Sequence, residues 1–159
     1  MDKILVSQEG YRQFFEILEE LKELSLNSAS IGNEAYKNAI GDGWHDNFDF
    51  EESVRESRKI ASRINKMLEE EAYLEIIEDK KYINNLINLG DTFEVKIIYS
   101  NSDVEKETLT LTGKYKPDND KEITLNSPLG KCIYKKQINT TNEYFVENNK
   151  ITVHILNKY

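Results

Sequence analysis

The chain has 159 residues, 38% hydrophobic and 31% charged, with 21 Lys and Arg against 29 Asp and Glu and a formal net charge of −8. No apolar run approaches the ~18 residues of a membrane span, and the apolar stretch after Met1 is too short for a secretory signal, so a cytoplasmic protein of one domain or two small ones is expected. An acidic chain is a poor general binder of nucleic acid, whose phosphates need a cationic surface; a basic protein surface or a cation suits it better.

Ser7-Gln8-Glu9-Gly10 opens the first helical pattern, with Ser7 as N-cap and Glu9 in the favourable first turn. Apolar residues then recur at Tyr11, Phe14, Phe15, Leu18, Leu21 and Leu24, one buried stripe at helical spacing. Ser25 to Asn33 is rich in weak helix formers and leaves open a kink or local fraying. Helical character resumes through Glu34 to Ile40, and Gly41-Asp42-Gly43 then breaks it, because glycine turns the chain without steric cost. A second helical run carries Phe50, Val54, Ser57, Ala61, Ile64 and Leu68 at heptad spacing, a seam for one partner helix. Neither run contains a proline. Two antiparallel arms of about 30 residues make a rod on the order of 45 Å long.

The expected division is a helical hairpin over 1–78 with an acidic tip near 41–52, a linker over 79–90, and a sheet domain over 91–159. Charge follows it: residues 1–88 hold 11 Lys and Arg against 19 Asp and Glu, and residues 89–159 hold 10 of each. Beyond the linker the period changes to two, in Thr92–Tyr99, Glu107–Thr112, Ile123–Leu125, Tyr144–Val146 and Ile151–Leu156. Ser127-Pro128-Leu129 reads as a short helix start, Ser127 capping and Pro128 in first position. The fold class is therefore α+β: a helical coiled-coil hairpin, then a small antiparallel sheet with one helix. Cys132, the single cysteine, reads as a small buried residue that can form no internal disulfide.

Chemistry concentrates at the turn. Residues 41–52 contain Asp42, Asp46, Asp49, Glu51 and Glu52 and no Lys or Arg. The bland reading is a solvated turn in which Asp46 or Asn47 caps the second helix; the sharper one is a site that shares a cation with a partner, as Mg²⁺ often does. The spacing is not that of an EF-hand loop, and His45 has no nearby histidine or cysteine for zinc. Trp44 and Phe48 in the same loop either meet a partner or fold back on the hairpin end. Arg55, Arg58, Lys59 and Arg63 either solvate the second helix or guide RNA phosphate toward the tip. His154 lies in an alternating strand and reads as structural, and no nucleophile-and-base pair or phosphate-binding glycine loop stands out. A free-standing enzyme is disfavoured.

These parts resemble the bacterial Gre family of transcript-cleavage factors over nearly the whole chain. Ser7-Gln8-Glu9-Gly10 is similar to the family's helix opening, and Gly41-Asp42 with Asn47-Phe48-Asp49-Phe50 to its tip. Asn126-Ser127-Pro128-Leu129, followed by Gly130 and Lys131, is similar to its Asn/Asp-Ser-Pro-hydrophobic motif. The resemblance implies an FKBP-like fold for the C-terminal domain, docked on the rim of the RNA polymerase secondary channel through Asn126, Ser127 and Pro128. It implies that the coiled coil enters the channel as a monomer and that tip acids help hold the second catalytic Mg²⁺, so that the polymerase hydrolyses its own backtracked RNA. By position Asp42 and Asp46 match those acids, with Trp44, His45, Asn47, Phe48 and Asp49 as tip contacts; the factor has no catalytic residue or cofactor of its own.

One departure is visible. The family separates its two acids by three positions, whereas Asp42 and Asp46 are four apart with Gly43-Trp44-His45 between them. A carboxylate displaced by one residue meets metal geometry poorly. A Gre-like factor that occupies the channel and inhibits or modulates transcription without cleavage is therefore a rival expectation. A coiled-coil adaptor unrelated to polymerase is a third.

Overall fold

The computed structural model describes residues 2–39, 48–78 and 84–159, with backbone alone over 29–39 and 48–50. The chain forms two compact units, Phe14–Tyr73 and Met1–Gln13 with Leu74–Tyr159. The first thirteen residues thus belong with the C-terminal part, a division drawn differently from the expected boundaries at 78 and 91.

The helical unit is built from α1 (Gln8–Ala39), whose first turns belong to the other unit, and α2 (Phe48–Glu71). Helix α1 runs without interruption across Ser25–Asn33, where the sequence left a kink open. Its buried positions Phe14, Leu18 and Leu21 continue into half-buried Ser25 and Ser28, a four-three spacing that holds one face inward. Leu24, expected in the stripe, is 52% exposed, so a serine takes the inward position beside it. The Ser57 hydroxyl donates to the Ser28 hydroxyl across the two helices at 3.2 Å, and Ser28 donates in turn to the Ser25 carbonyl at 3.1 Å.

On α2 the inward positions are Val54, Ser57, Ile60, Ile64 and Met67. The expected seam through Ala61 and Leu68 is corrected at both places: Ala61 is exposed and Leu68 is 46% exposed. A helix turns 3.6 residues per turn, so positions 60 and 61 flank the same stripe. The larger Ile60 gains more from burial than Ala61, and with Ile60 inward the next two seam positions fall at Ile64 and Met67.

The sheet unit contains β3 (Thr92–Ile98), β4 (Val104–Thr112), β5 (Glu122–Thr124), β6 (Thr141–Val146) and β7 (Asn149–Lys158), in the order β5-β4-β3-β7-β6. All neighbours are antiparallel except β4 and β5, which pair in parallel through Thr110↔Glu122 to Thr112↔Thr124. The expected all-antiparallel sheet is therefore corrected to a mixed one. The reason lies in residues 113–121, which are too long for a tight hairpin and return the chain to the level of Thr110. The Lys114 ammonium lies between the Asp118 and Glu122 carboxylates and closes that loop on itself.

Side chains alternating on β3, β4 and β7 (Phe93, Val95, Ile97; Leu109, Leu111; Ile151, Val153, Ile155) form the core with Leu125 and with Ile133 of α3 (Pro128–Ile133). Ile87 and Leu89 join them, so the described end of the expected linker is core rather than connection. Leu86 bridges Gln137, and the Asp91 carboxylate accepts from the Asn88 N–H at 2.7 Å while pairing with Lys158 at 2.6 Å. A further element had no period to announce it: β1 (Ile4–Val6) pairs in parallel with β2 (Leu74–Ile76). Three-residue strands are too short to show alternation.

Candidate functional site

The expected tip residues Asp42, Trp44, His45, Asp46 and Asn47 lie outside the described residues. Phe48 and Asp49 open α2, where the backbone alone is described. Helix α1 ends at Ala39 and α2 begins at Phe48, so the acidic segment connects the two helix ends. Arg55, Arg58, Lys59 and Arg63 are all exposed on α2. Arg55, Lys59 and Arg63 recur every fourth residue and share one line of the helix, with Arg58 beside it. Among the described residues no group of three or more His, Cys, Asp and Glu could hold a metal ion, and no helix is long and apolar enough to cross a membrane.

The second expected region is described in full. Ser127 caps α3 in an extended conformation (φ −65°, ψ 154°): its hydroxyl accepts from the Gly130 N–H at 3.0 Å and donates to the Thr124 carbonyl at 2.8 Å. Pro128 follows at the first helical position and is exposed. A side chain at Gly130 would put its Cβ 2.0 Å from the Thr124 carbonyl oxygen, so glycine is required there. Asn126 turns inward to β1, where its Oδ1 accepts from the Leu5 N–H at 3.0 Å and its Nδ2 donates to the Leu5 carbonyl at 2.8 Å. Of the three expected docking residues, Pro128 faces solvent, while the polar groups of Asn126 and Ser127 are engaged within the sheet unit.

The same region shows residues that the sequence did not single out for this. Gln13 pairs with both backbone groups of Lys116, accepting from its N–H at 2.9 Å and donating to its carbonyl at 3.2 Å. The Ser7 N–H donates to the Gly113 carbonyl at 2.8 Å, and the Ser7 hydroxyl accepts from the Gly10 N–H at 3.1 Å, which bears out Ser7 as the cap of α1. A Cβ on Gly10 would lie 2.1 Å from the Gly113 carbonyl oxygen. Glycine inside the first turn costs helix stability, and that cost was the available sign of a close backbone approach.

Elsewhere the titratable groups have structural settings. Tyr99 donates to Glu105 at 2.7 Å, and that bond, with burial and the Glu105 charge, pushes its pKa up to about 12. Burial pushes the Cys132 thiol up, away from the thiolate that reactivity needs. His154 Nδ1 meets the Thr141 hydroxyl at 2.6 Å across β6 and β7.

No family model matches the chain. A curated relative, transcription elongation factor GreA of Clostridioides difficile (strain 630), is 29% identical over 133 residues, covering 82% of this chain and 80% of its own. The chain is similar to this Gre factor over most of its length. Two solved structures align with this chain at 17% identity. The transcription factor Gfh1 covers 100% of this chain and 99% of its own at a TM-score of 0.48; GreA factor homolog 1 of Thermus thermophilus covers 99% of each at 0.45.

Proposed function

We propose that the chain is a bacterial RNA polymerase factor that enters the secondary channel with its helical pair and stimulates hydrolysis of backtracked RNA by the polymerase. The observation that carries this reading is the GreA similarity over 82% of the chain, together with a helical pair whose connection holds Asp42 and Asp46. The sheet unit, FKBP-like in this reading, docks on the channel rim through the loop that presents Pro128. The factor is a cytoplasmic monomer and not itself an enzyme. Mg²⁺ shared with the polymerase would be held in part by Asp42 and Asp46, whose oxygens suit that ion, and would polarise the scissile phosphate. The chain's own residues bind and orient: the exposed Arg55, Arg58, Lys59 and Arg63 attract RNA phosphate, and Trp44, His45, Asn47, Phe48 and Asp49 contact the channel interior.

Adding the protein to a stalled, backtracked complex with 3′-labelled RNA releases short 3′ fragments, and Asp42→Ala or Asp46→Ala lowers the rate at least about a hundredfold. A second reading is favoured by the four-residue spacing of the two acids. In that reading the chain occupies the channel without cleavage and slows nucleotide addition. Binding with slowed addition and no fragments selects it, and absence of polymerase binding eliminates both.

A further inference from the structure

We infer that Asn126 is a positioning residue that couples the Ser127-Pro128 loop to the root of α1; the inference rests on the polymerase reading above. A primary amide that pairs with the N–H and the carbonyl of one residue imitates a rung of a β-ladder. Asn126 does this to Leu5, at 3.0 and 2.8 Å. Its neighbour Ser127 spends its hydroxyl inside the loop, on Gly130 and Thr124, which leaves Pro128 as the exposed member of the motif.

Leu5 sits two residues before Ser7, the cap of α1. A displacement of the Pro128 loop therefore reaches the first turn of α1 through one side chain and a stretch of β1. The root is fastened again further on. Ser7 donates to Gly113, Gly10 lies against the same carbonyl, and Gln13 repeats the two-bond amide pairing on Lys116 about one and a half turns along the helix. Two side-chain amides, 113 positions apart in sequence, thus do the same job on the two sides of the helix start. In this arrangement Asn126 sets where the helix root stands relative to the docked loop, and it affects what the bound factor does more than whether it binds.

The test uses the full chain and three variants: Asn126→Ala, Gln13→Ala and Pro128→Ala. In the free protein, Asn126→Ala speeds hydrogen exchange of the Leu5 amide about tenfold and leaves the Val95 and Val153 amides of the core strands protected. Titrated against a stalled bacterial polymerase complex, Asn126→Ala keeps the half-saturating concentration within about twofold and lowers the effect at saturation, on RNA cleavage or on nucleotide addition, about tenfold. Gln13→Ala moves in the same direction and carries the test alone if Asn126→Ala does not fold. Pro128→Ala does the opposite, raising the half-saturating concentration while keeping the plateau. Unchanged Leu5 exchange overturns the coupling, and so does an Asn126→Ala variant that titrates like Pro128→Ala while the wild type binds. A wild-type protein that does not bind polymerase overturns the polymerase reading and the coupling with it.

Discussion

Gly10 shows how a single position joins local and long-range constraints. Its N–H is tied to the Ser7 cap, and the space where a Cβ would stand is filled by backbone, with the Gly113 oxygen 2.1 Å away and the Lys114 Cα 3.0 Å away. Backbone cannot swing aside as a flexible side chain would. Gly10→Ala, which gains helix propensity in isolation, is therefore expected to destabilise the protein by about 2 kcal/mol or more. Urea unfolding followed by circular dichroism checks it, and a stabilised Gly10→Ala variant would show that the approach is looser than described. Ser127 and Gly130 follow the same logic at α3, where cap and glycine are required by one turn. The capping roles of Ser7 and Ser127 were legible because an N-cap is a local signal. The destination of the Asn126 and Gln13 amides was not, since Leu5 and Lys116 lie 121 and 103 positions away.

Helical elements were more legible than their faces. Both long helices stand where proline is absent and the apolar period is strong, and α1 passes through Ser25–Asn33 because weak propensity is overridden in a long helix with a partner. The seam of α2 was displaced by one position at 60/61 and 67/68, where periodicity alone admits either residue. Truncation separates the two seams. Met67→Ala removes a side chain that is 2% exposed and is expected to cost about 2–4 kcal/mol, while Leu68→Ala stays within about 0.5 kcal/mol of wild type. Equal costs in urea unfolding would contradict the inward position of Met67. In the sheet, β3, β4 and β7 announced themselves by alternation and β5 was expected one residue along at Ile123–Leu125, whereas β1 and β2 have three residues each and carry none to read. The parallel pairing of β5 follows from the return of the loop at 113–121, a property of its length and of Lys114 that strand patterns do not encode.

For the molecule as a whole, the plan of a helical pair and a small sheet followed from the change of period near residue 90. The sharing of residues up to Gln13 with the sheet unit did not, because it depends on contacts between distant parts of the chain. The proposed function joins the two units: the sheet unit presents Pro128 for docking, and the connection between α1 and α2 carries the acids. In that function this connection enters the polymerase secondary channel. The most direct measurement places a photo-crosslinking amino acid at position 44, in place of Trp44, and maps its adducts on a stalled bacterial polymerase complex. Adducts confined to the channel interior near the active site, and competed by unmodified protein, are the predicted result. Binding with adducts only on the outer surface of the polymerase, or no binding at all, would exclude entry into the channel.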